Sequence, residues 1–472
     1  MEDWENRSVL IVGVARQGLA LARYLLGRGA RLILNDQRSA GELAEEQQAM
    51  ADLSASGPSL EWVFGGHPLN LLDGIDLVCV SGGVPLTIPL IIEARARGIR
   101  ISNDSQIFLD SVPCKVIGIT GSAGKTTTTT LVGRIAQAAT ETPKENKPYR
   151  KAWIGGNIGS PLISKVDEMH PDDLAVMELS SFQLELMNRS PQIAAILNIT
   201  PNHLDRHGTM EAYTAAKANI LAFQSSRDAA ILGRDDPGAW SLAGKTRGKL
   251  WSFGLAELDG DQEGAFFHGE TIYLRRRNAQ LQDFPVMSRK LIALRGEHNL
   301  LNVLAACTIA AAAGLEVEAM RAGVNGFAGV KHRLEFVRKW GGADWYNDSI
   351  ATAPERSMAA IRSFEEPLEL LAGGRDKDLP WDDFAALVRR RVDHLILFGE
   401  AAGKILAALR LNGSERLTLT RCEGLKEAVQ ATAEIVQPGD VVLLSPGGTS
   451  YDEFKDFEER GLCFENWVKE LP

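Results

Sequence analysis

The run Gly118-Ile119-Thr120-Gly121-Ser122-Ala123-Gly124-Lys125-Thr126-Thr127 is the stretch best equipped for chemistry. Glycines let successive backbone N–H groups curl around an anion, and a helix opening just afterwards adds partial positive charge. A lysine after the last glycine can reach the β and γ phosphates of a nucleotide, and the hydroxyl beside it suits Mg²⁺. The usual G-x-x-x-x-G-K-[ST] pattern is not literal here. Ile119 takes the first glycine's place, and glycines stand at 118, 121 and 124. The apolar run Val116–Thr120 before the loop and the helical spacing from Lys125 to Ala138 after it supply the strand–loop–helix setting that phosphate binding needs.

Weaker signals lie elsewhere. Gly13-Val14-Ala15-Arg16-Gln17-Gly18, with Asp36 ending the next strand, reads as a dinucleotide loop whose middle glycine is replaced. Ala15 crowds a pyrophosphate, Asp36 suits a ribose or uracil contact, and a plain tight turn would look the same. Glu178 closes a predicted strand, where a carboxylate can hold Mg²⁺, although a surface acid fits equally. His203 and His207 lie in a loop after another strand, without convincing zinc spacing. Arg333 could neutralise charge on a transferring phosphoryl group and Lys377 could bind a carboxylate, though each taken singly reads as a surface charge.

These groups need elements to position them. The 472 residues suggest about three domains, and 45% hydrophobic with 24% charged residues describes a folded globular chain. Predicted strands at Val9–Val12, Leu32–Leu34 and Leu77–Val80 alternate with helices at Gly18–Gly27 and Pro89–Ala96. The pattern restarts at Val116, with strands at Leu174–Met177, Ile193–Leu197 and Ala230–Leu232 and helices at Met210–Phe223 and Leu300–Ala313. Residues 251–292 suggest a small antiparallel patch, and Thr140–Lys151 a mobile loop. Strands at Leu368–Leu371, His394–Phe398 and Val441–Leu444 complete a third βα region. Alternating β and α predicts an α/β fold with parallel sheets. The expected domains are 1–112, 113–328 and 329–472.

The net charge of -10 disfavours nucleic acid and anionic membranes as partners. Five scattered cysteines with no C-x-x-C pair suggest reduced thiols. An acidic start, Met1-Glu2-Asp3-Trp4-Glu5, lacks the positive charge of a signal peptide, so a cytoplasmic protein is expected.

Taken together, Gly118-x-Thr-Gly-Ser-x-Gly-Lys125-Thr126, Glu178, Asn202-His203, Gly296-Glu297-His298-Asn299-x-x-Asn302, His332-Arg333 and Asn347-Asp348-Ser349 resemble the Mur ligase family, ATP-dependent amide-forming enzymes of bacterial wall synthesis. The resemblance spans nearly the whole chain. It implies a Rossmann-like N-terminal domain for a UDP-sugar, a central P-loop domain for ATP and a Rossmann-like C-terminal domain for an amino acid. Within the family, Glu178-Leu-Ser-Ser-Phe-Gln-Leu-Glu185 and the segment Leu444–Gly461 are similar to the branch that adds D-glutamate to UDP-N-acetylmuramoyl-L-alanine. Gly447-Gly448-Thr449, Ser81-Gly82-Gly83 and Ile350 depart from the family pattern.

The resemblance implies the following roles. Gly121, Ser122, Ala123, Gly124, Lys125, Thr126, Thr127, Asn299, Arg333 and Asp348 contact ATP. Thr126, Glu178, His203 and Lys217 serve two Mg²⁺ ions, with Lys217 carbamylated by CO₂; without the family, Lys217 reads as a solvated helix lysine. Arg16, Gln17, Asp36, Arg38, Gly83 and Asn157 hold the UDP-sugar, and Thr352, Lys377, Ser450 and Phe457 hold D-glutamate. Lys125, Lys217, His203 and Arg333 are the expected catalytic set, in a monomer acting on small molecules. Another amino-acid ligase of the family, folylpolyglutamate synthase, or a non-catalytic nucleotide switch are the alternatives.

Overall fold

The computed structural model describes residues 3–54, 60–141, 147–202, 204–277, 280–376, 379–410 and 417–472. Three sheets organise the chain. The first has strand order Leu60–Phe64, Arg31–Asp36, Ser8–Val12, Leu77–Val80, Arg100–Ser102, all parallel. The order reverses between Ser8–Val12 and Leu77–Val80, which leaves a crevice at their carboxyl ends, where open α/β sheets bind ligands.

The second sheet has nine strands. Its centre is Lys115–Thr120, parallel to Leu174–Glu178 on one side and Ile193–Ile196 on the other. Val116, Ile117 and Ile119 are fully buried there. Each such side chain contributes roughly 1.5–3 kcal/mol, so this strand is a rigid base for the loop that follows. Ala152–Gly156 forms one edge. On the other side, Ala229–Gly233, Lys249–Phe253 and Glu263–His268 remain parallel, and only Glu263–His268, Thr271–Arg277 and Leu281–Ser288 run antiparallel. The patch expected at 251–292 is therefore the margin of the central sheet rather than a separate one.

The third sheet orders Glu335–Trp340, Ala343–Asn347, Val441–Gly447, Leu368–Gly373, His394–Phe398 and Thr418–Arg421. It is parallel except for the hairpin edge Glu335–Trp340. Residues Met1–Ala293 with Glu297–Phe327 form one compact unit holding the first two sheets, and Leu294–Gly296 with Ala328–Pro472 form another. Among the described residues no helix is long and apolar enough to cross a membrane.

Most expected elements stand within a few residues of their predicted places. Part of the expected loop at Thr140–Lys151 is helical, because Lys125–Glu141 runs on through Thr140 and Glu141; residues 142–146 lie outside the described residues. Asp173 anchors the start of the strand that ends in Glu178. It is wholly buried and accepts hydrogen bonds from Arg150 Nε and Nη2, Trp153 Nε1 and the His170 N–H, at 2.8–3.0 Å. Burial works to raise its carboxyl, but the bonds from Arg150, Trp153 and His170 outweigh it and hold Asp173 at about 2.

A carboxyl held low contributes stability above its unfolded value and loses it as pH falls. Asp173→Ala should therefore cost on the order of 3 kcal/mol near neutral pH, by leaving buried donors unpaired. In denaturant titrations the gap between wild type and variant should narrow between about pH 4 and about pH 2. A gap that is flat with pH would show that the carboxylate charge is not what anchors the strand.

Candidate active site

The loop Gly121–Gly124 leaves the central strand and enters the helix Lys125–Glu141. It is held before any ligand arrives. The Ser122 N–H donates to the Asn198 carbonyl (3.0 Å), and Asn198 clasps Ala123 twice, accepting its N–H (2.8 Å) and donating to its carbonyl (3.1 Å). Ser122 Oγ joins the Thr200 backbone and lies 3.0 Å from the Tyr213 hydroxyl. Gly124 has φ +81°, and a Cβ there would lie 2.3 Å from Asn302 Oδ1. Asn302 also donates to Asn299 Oδ1 (3.0 Å) and accepts from the buried Thr128 (3.3 Å), which ties the helix Glu297–Ala312 to the loop's helix. Gly118 belongs to the strand instead: a Cβ there would lie 2.4 Å from Pro191 Cγ. Its small size serves packing and not phosphate binding.

Thr126 Oγ1 donates to Glu178 Oε2 at 2.9 Å, and Asn157 Nδ2 donates to Glu178 Oε1 at 2.9 Å. Glu178 is only 1% exposed. A hydroxyl and a buried carboxylate beside a phosphate-type loop form the oxygen donor set that Mg²⁺ prefers, so the residues fit that ion. Lys125 Nζ donates to the carbonyls of Gly121 (2.8 Å) and Ser122 (3.2 Å). Lys217, on the helix Met210–Ala222, donates to the same Gly121 carbonyl (2.9 Å) and lies over the Tyr213 ring. It is almost wholly buried. Burial first, then the charge of Lys125, pulls its amine down to about 6 against the opposing pull of Glu178. His203 lies outside the described residues.

Around the first sheet's crevice, Gly13 turns with φ +91° and its carbonyl accepts from Ser81 Oγ (2.6 Å). A Cβ at Gly18 would lie 2.2 Å from that carbonyl. Asp36 accepts from the N–H groups of Val14 and Arg38 and from Arg38 Nε and Nη2, at 2.8–3.1 Å. Burial raises its carboxyl, but these bonds win and hold it at about 2. Gln17 stands half-buried beside Gly82, Arg16 donates to the Asn157 carbonyl (3.4 Å), and the Gly83 carbonyl accepts from Arg206 (3.3 Å).

In the C-terminal unit, Asp348 is buried at the end of the strand Ala343–Asn347. Burial pushes its carboxyl up to about 7, against a hydrogen bond from Ser445 Oγ (2.7 Å), the charge of Arg333 and the Leu334 N–H. Ser450 Oγ is buried without a partner among the described residues, Thr352 is half-buried, and Phe457 opens the helix Phe457–Glu470. Lys377 lies outside the described residues. The departures at Gly447 and Gly448 follow from packing, because a Cβ would meet the Trp381 ring at 2.8 Å and the Gly373 carbonyl at 2.5 Å.

Sequence reasoning gave no role to Asn198, Tyr213 or Arg460. Arg460 is fully buried and donates to Ser349 Oγ and to the carbonyls of Ser349, Gly448 and Thr449, pinning two loops together. Asn198 stood directly after a strand, a usable signal; nothing local marks Arg460 as buried.

The parallel sheets, the phosphate-type loop and the Thr126–Glu178 pair define a nucleotide-dependent α/β enzyme. Three family models match: a Mur ligase MurD-like N-terminal domain over residues 7–103, a Mur ligase middle domain over 119–310 and a Mur ligase glutamate ligase domain over 332–448. The chain belongs to the Mur ligase family. UDP-N-acetylmuramoylalanine--D-glutamate ligase of Symbiobacterium thermophilum is 41% identical over 98% of this chain and 97% of its own length. The enzyme of the same name from Pelotomaculum thermopropionicum is 39% identical over 100% and 99%. Among solved structures, the UDP-N-acetylmuramate-alanine ligase MurC of Thermotoga maritima shares the fold with a TM-score of 0.59 at 17% identity, covering 98% of this chain and 99% of that one. The MurF ligase of the same organism, in complex with ADP, gives 0.55 at 16%, with both chains fully covered.

The two kinds of glycine should separate on mutation. Gly124→Ala strains a positive φ and collides with Asn302, so ADP affinity measured by calorimetry should fall at least about tenfold. Gly118→Ala overpacks the strand against Pro191 and should lower thermal stability while leaving ADP affinity within about twofold. The reverse pattern would return Gly118 to the binding loop.

Proposed function

We propose that this chain is an ATP-dependent ligase that adds D-glutamate to UDP-N-acetylmuramoyl-L-alanine in peptidoglycan precursor synthesis, acting in the cytoplasm as a monomer with neither nucleic acid nor membrane as partner. The observation that carries this is end-to-end similarity to relatives of that name, joined to a preformed loop beside Thr126 and Glu178. Residues 1–112 bind the UDP-sugar, 113–328 bind ATP and 329–472 bind the amino acid.

The chemistry follows from the charges. A carboxylate is a poor acylating agent, and it repels a triphosphate. The γ-phosphoryl group of ATP passes to the substrate carboxylate, giving an acyl phosphate and ADP. The amine of D-glutamate then attacks the acyl carbon, the C–N bond forms, and phosphate leaves with the C–O bond electrons. Lys125 shifts from the loop carbonyls to the phosphates and offsets their charge. Thr126, Glu178 and His203, with carbamylated Lys217, would hold two Mg²⁺ ions, which when bound supply Lewis-acid stabilisation of phosphoryl oxygens. Arg333, Asn299 and Asp348 contact ATP. Arg16, Gln17, Asp36, Arg38, Gly83 and Asn157 hold the UDP-sugar. Thr352, Lys377, Ser450 and Phe457 hold D-glutamate and leave only one enantiomer able to present its amine.

The depressed Lys217 amine supports its modification. Only a neutral amine attacks CO₂; the new N–C bond forms as one C=O π pair moves to oxygen, the nitrogen releases a proton, and the neutral amine becomes an anion. A carbamate beside Lys125 and Glu178 supplies oxygen where an ammonium would repel the metal.

Mass spectrometry of products from ATP, UDP-N-acetylmuramoyl-L-alanine and D-glutamate tests the reaction. One added glutamate with stoichiometric phosphate is expected, and equal use of L-glutamate would refute the amino-acid site. Lys125→Ala should lose about 10²-fold or more in kcat. Lys217→Ala should also lose most activity and regain part of it with added acetate, whereas Lys217→Arg should stay inactive in either buffer. Wild-type turnover by Lys217→Ala would rule out the carbamate.

A further inference from the structure

A second group of ionisable side chains lies in the C-terminal unit. His332, Glu335 and Glu465 bring a ring nitrogen and two carboxylate oxygens within 4.8 Å of one another. All three are largely shielded, with side chains 6%, 23% and 13% exposed. Such a trio can hold a divalent cation, or its two carboxyls can share a proton. Asn347 decides between these readings. Its Oδ1 accepts from the Ser349 N–H (3.1 Å), so its Nδ2 faces the group, donating to Glu465 Oε1 (3.1 Å) and to the Gly461 carbonyl (3.2 Å) and standing 2.9 Å from His332 Nδ1. That amide turns its two N–H bonds toward these three acceptors, and a cation placed beside Nδ1 would meet N–H hydrogens.

The carboxyls of Glu335 and Glu465 lie together, with candidate oxygens within 4.8 Å of each other. Two carboxylates offer only acceptors, so a bond between them needs a proton on one. Burial first, then the charge of Glu465, pushes Glu335 up against the His332 N–H bond. Glu465 is pulled down despite burial, by Glu335, Lys469 and Asn347. Burial and the neighbouring charge favour a proton on Glu335 over one on Glu465. The other charged groups facing the cluster are Lys331 on the turn, Asp456 and Glu458 at the start of the helix Phe457–Glu470, and Lys469 in its last turn.

The pair grips a strained segment. Glu335 Oε2 accepts the His332 N–H at 2.6 Å. His332 (φ 61°) and Leu334 (φ 44°) are both left-handed, a conformation that costs a non-glycine residue free energy and persists only where surroundings impose it. Arg333 lies between them. The His332 ring is wedged against Gly461, where a Cβ would lie 2.2 Å from Nδ1, and stands edge-on to Phe457.

We propose that Glu335 and Glu465 share one proton and that this acid pair locks the His332–Leu334 turn, making both glutamates positioning residues for Arg333. This rests on the assignment of Arg333 to ATP made above. While one proton remains the turn holds. As pH rises through the elevated value of Glu335 that proton is lost, two carboxylates repel, and the turn loosens, so kcat/KM for ATP should fall as pH rises through that value.

The test is the pH profile of amino-acid-dependent phosphate release by the full chain. Glu335→Gln keeps both bonds without a titrating proton, its oxygen accepting from His332 and its amide donating to Glu465. It should keep kcat/KM for ATP within about twofold of the wild-type plateau and lose the limb on which wild type falls as the Glu335 proton leaves. Glu465→Ala should lose about 10- to 100-fold in kcat/KM, the scale of a displaced active-site group. A Glu335→Gln profile superimposed on wild type would overturn the proposal, as would Glu465→Ala within twofold of wild type. So would a tightly held divalent metal in the wild-type protein that Glu335→Gln releases. If Glu465→Ala does not fold, the Glu335→Gln profile decides alone. Full activity in Arg333→Ala would instead remove the underlying ATP assignment, a separate result.

Discussion

Two lysines donate to one backbone oxygen. Lys125 Nζ and Lys217 Nζ lie 2.8 Å and 2.9 Å from the Gly121 carbonyl, deep in the unit that carries the loop. Two ammonium ions converging on one carbonyl in a poorly solvated place repel strongly, so one must give up its charge. Burial pulls down the amine of Lys217, the more deeply buried of the two, to about 6. Much of the local structure answers this constraint. Asn198 and Ser122 hold the loop so that the carbonyl stays put, Tyr213 offers Lys217 a ring face, and Glu178 supplies the nearest negative charge. A polyanionic ligand would relieve the same crowding, which is why the loop suits a nucleotide.

Parallel strands place these parts. Thr120, Glu178 and Ile196 end three neighbouring strands of the central sheet, so loop, carboxylate and Asn198 emerge along one edge without long connections. The first sheet does the same with Val12, Asp36 and Val80, and the third with Asn347, Gly373 and Gly447. Side chains far apart in sequence meet there because the sheet register, rather than the loops, sets their spacing.

What was legible in the sequence was local. Lys125 and Thr126 follow glycines between a strand and a helix, and Glu178 ends an apolar run, so neighbours a few residues away reveal them. Arg460 reads as one more charge in an acidic helix, and only the folded chain shows it caged by Ser349, Gly448 and Thr449. Gly118 misled for the same reason, since its need for smallness comes from Pro191, across the sheet. Short strands such as Leu60–Phe64, Arg100–Ser102 and Ala152–Gly156 carry too little periodic signal to be found, and the hairpin edge Glu335–Trp340 alternates with charges. From its own segment Lys217 reads as a solvated helix lysine, and only the fold shows it buried against the Gly121 carbonyl and the Tyr213 ring.

The hydrogen bonds around Asp36 leave that carboxylate no idle oxygen, since Val14 and Arg38 already supply its donors. A ligand hydroxyl reaching Asp36 must therefore evict one of them. The two backbone N–H groups are fixed by the chain, whereas the Arg38 side chain is 40% exposed and can swing away. Once displaced from Asp36, its guanidinium, which also faces Glu46, could meet a phosphate on the same ligand. Under the proposed UDP-sugar role, such a crevice would act as an ion exchanger, swapping an internal pair for an external one and favouring molecules that bring hydroxyl and phosphate together.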